Sequence, residues 1–108
     1  MGSSRRSDAF AALADPTRRG VLDLLREHPT RTAGEIAAGF PRISRAAVSK
    51  HLRVLREAGL VRATQRGREW HYRIDPSPLV EVYRDWLALF EPLFENSLEA
   101  LKRQVERD

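Results

Sequence analysis

The stretch from Ile43 to Val61, ISRAAVSKHLRVLREAGLV, carries its own start, its own stop and two unlike faces. It constrains the fold more than any other segment. Ser44 suits the N-cap of a helix, where a hydroxyl accepts a hydrogen bond from one of the first free backbone N–H groups. Gly59 suits the position just past a helix end, where a left-handed residue is often needed. Between them Val48, Leu52 and Leu55 recur at i, i+4 and i+7 and form one apolar stripe. The opposite side holds Ala46, Ser49, Lys50 and Arg53, flanked by Arg45 and Arg56, with no carboxylate before Glu57. A face of small, hydroxyl and cationic residues suits a groove lined with phosphates.

The charge distribution points the same way. The 108-residue chain carries a formal net charge of +4. From Arg42 to Arg73 nine Lys or Arg stand against two Glu, a net of +7, whereas Ile74 to the end has four basic and eight acidic residues, a net of −4. A localised basic patch is the electrostatic footprint of nucleic-acid binding. A chain of this length makes one domain that buries roughly two-thirds of its unfolded surface. No run approaches the roughly 20 apolar residues that span a bilayer, and MGSSRRSDAF has charges without the apolar stretch of a secretory signal. The chain has no cysteine, which excludes disulfides and thiolate metal sites and fits a cytoplasmic protein. Residues 1–7 are expected as a mobile tail, and 8–108 as the domain.

Ahead of the basic helix, Ser7 can cap a short helix over Asp8 to Ala14, with Phe10 and Leu13 apolar. Asp15 caps a second helix that Pro16 opens and Pro29 closes, with Val21, Leu22, Leu24 and Leu25 as a broad buried face. Thr32 and Glu35 form the S/T-x-x-E capping box of a third helix, Ala33 to about Ala38, with Ile36 and Ala37 inward. Two short turns of helix, a turn at Gly39-Phe40-Pro41 and a longer basic helix make a helix-turn-helix. In that motif the second helix enters the major groove with its N-terminal residues near the bases.

Strand-like runs follow at Leu60 to Thr64 and Glu69 to Ile74, with Gln65-Arg66-Gly67-Arg68 as a hairpin turn between them. Trp70, Tyr72 and Ile74 alternate with Glu69, His71 and Arg73, so one face can pack on the helices. A basic-tipped hairpin directly after the recognition helix is the wing of a winged helix-turn-helix. The fold class expected is therefore mostly α with a small β-hairpin wing. The candidate DNA contacts are Ser44, Arg45, Ala46, Ser49, Lys50, His51 and Arg53 on the helix, with Arg66 and Arg68 at the wing tip. His51 projects beside the apolar stripe, where packing or a phosphate contact is its natural role. Arg18 and Arg19 can touch phosphate or pair with nearby acids, and the structural role is preferred.

Beyond Asp75-Pro76-Ser77-Pro78, the segment at about 79–106 has too many apolar residues for a single stripe and must be covered on more than one side. Phe94, Leu98, Leu101 and Val105 add a seam spaced at 4, 3 and 4 for another helix. A homodimer through the terminal helices supplies the cover, with Phe10, Leu13, Val82, Tyr83, Trp86, Leu89, Phe90 and Leu93 as its candidate interface. Pro92 is expected to kink or break the helix near Glu91.

The segments FAALADPTRRGVLDLL, VSKHLRVLREAGLV and GREWHYRID resemble the ArsR-type winged helix-turn-helix transcriptional repressors, over nearly the whole chain from Phe10 to about Leu101. The resemblance implies a cytoplasmic homodimer that binds a palindromic double-stranded operator, often its own promoter. It departs from the metal-sensing pattern of that family. No cysteine motif is present, the last segment has no histidine, and His28, His51 and His71 have no paired i, i+4 spacing for a transition metal. The expectation is the metal-independent branch, with no metal site, no cofactor, no identifiable small molecule and no membrane partner. No nucleophile motif or glycine-rich phosphate loop suggests an enzyme. The competing readings are a ligand- or metal-responsive regulator of the same fold and a protein-interaction module that uses the last helix.

Overall fold

The computed structural model describes residues 2–107 and contains six α-helices and a three-stranded antiparallel sheet. The helices are α1 (Gly2–Leu13), α2 (Pro16–Glu27), α3 (Ala33–Ala38), α4 (Arg45–Glu57), α5 (Ser77–Asp85) and α6 (Glu91–Arg107). The strands are β1 (Arg31–Thr32), β2 (Val61–Arg66) and β3 (Glu69–Ile74), in the order β1-β3-β2. The winged helix-turn-helix architecture expected from the sequence is the one observed.

Local chemistry sets most boundaries. The Asp15 carboxylate accepts from the Arg18 backbone N–H at 3.0 Å, and Pro16 stands in the first turn, where its missing N–H costs nothing. The Thr32–Glu35 capping box is complete. The Thr32 hydroxyl accepts from the Glu35 N–H, and Glu35 accepts from the Thr32 N–H. The two arginines after Pro16 serve the preceding helix. Arg18 donates to the carbonyls of Ala12 and Ala11, and Arg19 donates to that of Leu13. These are among the carbonyls that the end of α1 leaves without an intrahelical partner. The DPTRR run therefore begins one helix and finishes another.

Val21, Leu22 and Leu25 of α2, Ile36 of α3 and Val48, Leu52 and Leu55 of α4 meet Leu60, Val61 and Tyr72 in one core. Full burial of each large apolar side chain is worth about 1.5–3 kcal/mol. Phe40 packs against this cluster, and its ring lies so close to Gly20 that a Cβ there would meet it at 3.0 Å. The core thus fixes the angle between α2, α3 and α4, and with it the direction in which α4 presents its other face.

Four local readings change. First, α1 begins at Gly2, so it runs through positions assigned to a tail and does not wait for a Ser7 cap; Met1 lies outside the described residues. Second, β1 is an addition, a two-residue strand that pairs Arg31 with Tyr72 and Thr32 with His71. Third, the chain breaks at Trp86 (φ −137°, ψ −60°), passes through a 3-10 turn over Leu87–Phe90 and restarts as α6. Pro92 is the second residue of α6, so it opens a helix and does not kink one, because the first N–H groups of a helix need no partner within it. Fourth, Val82 is only 4% exposed, on a helix that packs against α1, so within the single chain it is part of the packing and not of the exposed apolar surface.

The other expected interface residues divide by exposure. Phe10, Tyr83, Trp86, Leu89 and Leu93 are exposed, and Leu13 and Phe90 are half-buried. Phe10, Trp86, Phe90 and Phe94 form a chain of ring contacts, with successive centroids 5.6, 5.0 and 6.4 Å apart, that ties α1 to the start of α6. The Tyr83 hydroxyl donates to Glu91 across the break. Beyond that point α6 is exposed on all sides, including Leu98, Leu101 and Val105. No helix among the described residues is long and apolar enough to cross a membrane.

Candidate nucleic-acid interface

The free face of α4 owes its shape to the residues that fix the helix ends. The Ser44 hydroxyl accepts from the Ala47 N–H at 3.0 Å, which sets the first turn. Gly59 takes φ +77° just past the C-terminus and turns the chain directly into β2. With Val48, Leu52 and Leu55 buried, Ala46, Ser49, Lys50 and Arg53 together line an open hollow of about 400 Å³. Ala46 and Ser49 keep the backbone approachable, and Lys50 and Arg53 stand exposed beside them. Ser44 and Arg45 are exposed at the N-terminal end. The Arg45 guanidinium lies over Gly34 of α3, where an added Cβ would come within 3.4 Å of it.

His51 does not join this face. Its side chain turns toward the start of α2, with Nδ1 3.4 Å from the Arg18 guanidinium and 3.8 Å from the Asp15 carboxylate. The reason is its place beside the buried stripe, which aims it at the α1–α2 junction. His51 thus stands apart from the hollow, in the packing position that its place beside the stripe implies. Asp15 is held below the ordinary carboxylate range, first by the Arg18 N–H and then, against some desolvation, by the nearby His51 and Arg18 charges.

The hairpin places two more candidates. β2 and β3 pair from Val61–Ile74 to Arg66–Glu69, which leaves a two-residue turn at Gly67 and Arg68. Gly67 has φ +64° at the first central position, where II′ hairpin turns need glycine. Arg66 and Arg68 are exposed on either side of it. At the hairpin base the Asp75 carboxylate accepts from Arg62 Nε at 2.6 Å and from the Ser77 N–H at 3.0 Å. The bonds from Ser77, followed by that from Arg62, lower its pKa from 3.8 to about 2.

Two residues outside the candidate contacts matter here. Arg56 lies over the ring of Trp70, 5.8 Å from its centroid, and so bridges α4 and β3. Trp70 is 44% exposed despite standing on the inward-facing alternation with Tyr72 and Ile74. Its position near the hairpin tip, opposite Gln65, carries it past the end of the core. An aromatic two residues beyond the last buried position of a strand, with a basic helix before it, was the available signal. Arg53, Arg56 and Arg62, with Glu57, Gly59, Val61 and Ala63, line a cleft of about 520 Å³ between α4 and β2.

A family model described as a helix-turn-helix domain matches residues 13–63. The chain is 41% identical over 86 residues to the HTH-type transcriptional regulator Rv2034 of Mycobacterium tuberculosis, a match that covers 79% of this chain and 78% of that protein. It is 34% identical over 92 residues to the transcriptional repressor SdpR of Bacillus subtilis, covering 85% of this chain and 99% of the repressor. Among solved structures, an ArsR-like transcriptional regulator from Rhodococcus sp. RHA1 superposes with a TM-score of 0.72 at 33% identity, covering 97% of this chain and 94% of that one.

Proposed function

This chain belongs to the ArsR-type winged helix-turn-helix transcriptional regulators, and from that premise we propose that it is a homodimeric repressor that reads a palindromic operator, one α4 to each half-site. The observation that carries this reading is the free face of α4, where Ala46, Ser49, Lys50 and Arg53 line a hollow on a helix whose other face is locked in the core. Lys50 and Arg53 have the donors for guanine O6 and N7, and Ser49 can serve a base or a phosphate. Ser44, Arg45, Arg66 and Arg68 supply backbone contacts, which position a protein without reading sequence.

The dimer is supported by the apolar residues that this chain leaves uncovered from the break after α5 through α6, including Trp86, Leu89, Leu93, Leu98 and Leu101. One domain per half-site, a cytoplasmic location and control of its own promoter complete the proposal. The absence of cysteine from the sequence and of histidine from the last helix favours regulation without a metal. The regulator class is not an enzymatic one.

Selection of bound duplexes from a random pool tests the reading. The expected product is an inverted repeat whose half-site centres lie about one helical turn, ~10–10.5 bp, apart. A pool that shows no enrichment, or enrichment of a single unrepeated site, contradicts it.

A further inference from the structure

We propose that the cleft between α4 and β2 seats the sugar-phosphate strand that separates the groove read by α4 from the one met by the hairpin, with Arg56 as its anion contact and Trp70 as the residue that positions Arg56. The inference rests on the DNA-binding reading above and extends it to residues outside the helix face.

Three observations carry it. Arg53 borders both the hollow on the free face of α4 and the cleft, so the two surfaces are continuous. A duplex with α4 in its major groove and the hairpin tip on the adjacent backbone must pass one strand between them, and the cleft opens on that side, between the C-terminal turns of α4 and the first residues of β2. The charges there are also unequal in availability. Arg62 is matched by Asp75 at 2.6 Å, whereas Arg53 and Arg56 make no ion pair among the described residues. Against them stands one carboxylate, Glu57. Stacking on Trp70 keeps the Arg56 guanidinium at the α4–β3 bridge, and an arginine already ordered loses less freedom when a phosphate arrives. Trp70 itself stays 44% exposed.

The test uses the full chain and a selected duplex, with affinity read by fluorescence anisotropy from about 50 to 200 mM salt. R56A should weaken binding about tenfold and make the logarithmic salt dependence shallower by about 0.9, the value for one phosphate contact. R56K keeps the charge and should keep the slope while losing part of the affinity, because it lacks the planar fork. W70F should bind like the wild type and W70A like R56A. E57Q should bind more tightly, since it removes a like charge from the strand's path without disturbing the stack. It therefore keeps the test open if R56A or W70A fails to fold. Thermal midpoints check folding throughout. A salt slope unchanged in R56A with an affinity unchanged in E57Q overturns the proposal, and does so without touching the functional reading if R66A still weakens binding. If the wild type binds selected and scrambled duplexes equally, both fall together.

Discussion

Arg53 and Arg66 occupy opposite ends of a division between reading and holding. Arg53 stands on the α4 face, and Arg66 stands at the end of β2 beside the Gly67 turn. Arg53→Ala is expected to weaken operator binding by about 1–3 kcal/mol and to relax preference at one base pair. Arg66→Ala is expected to weaken selected and scrambled duplexes alike and to reduce the salt slope by about one charge. Titrations of both duplexes at several salt concentrations separate the two effects. Asp75 supports a different prediction. Its folded pKa of about 2 lies below the ordinary 3.8, so its contribution to stability is present above about pH 4 and is lost as pH falls toward 2. Urea midpoints measured between pH 5 and 2 should show that loss, and Asp75→Asn should show less of it.

At this same scale, the legible residues were those whose role is local. The Ser44, Asp15 and Thr32–Glu35 caps follow from neighbours within three positions, and each forms as the spacing implies. Helical spacing gives a direction around the helix and not what stands there, so it cannot supply the neighbours of His51 or the burial of Val82. Asp15 and Arg18 stand beside His51, and Val82 is buried on a helix that packs on α1.

Among the elements, α4 is set by its two ends. Gly59 holds φ +77°, and an added Cβ would meet only Pro78 at an ordinary 3.5 Å. Gly59→Ala should therefore cost backbone strain alone, about 1–2 kcal/mol by chemical denaturation. Leu52→Ala, which empties a site 2% exposed at the centre of the core, should cost about 2–5 kcal/mol. The first acts on the turn that joins α4 to the hairpin, so its effect on DNA affinity should exceed its effect on stability. Helices α2, α3 and α4 and the hairpin were readable because each is bounded by caps, prolines or turn glycines. β1 was not, because two residues carry no alternation, and only pairing with Tyr72 and His71 makes them a strand. Pro92 implies a kink or break near Glu91, and the chain does break there. Without a view of Trp86 leaving helical geometry, nothing showed that a new helix begins at Glu91.

For the molecule as a whole, the unequal distribution of charge has a structural counterpart. The basic middle third forms α4 and the hairpin, and the acidic last third forms α5 and α6, where Val80, Tyr83, Leu93, Phe94, Leu98 and Leu101 remain exposed in a single chain. Placing glutamate at both Leu93 and Leu101 should leave the core intact and lower the sedimentation coefficient to that of a monomer. Operator affinity should fall with it, because each half-site would then be held alone. If two copies of α4 read two symmetric half-sites, hydroxyl-radical footprinting of the full chain on a selected duplex should show two protected patches related by two-fold symmetry. They should lie about one helical turn apart, flanked by backbone protection from the hairpins. A single asymmetric patch, or uniform protection of selected and scrambled duplexes, would contradict it.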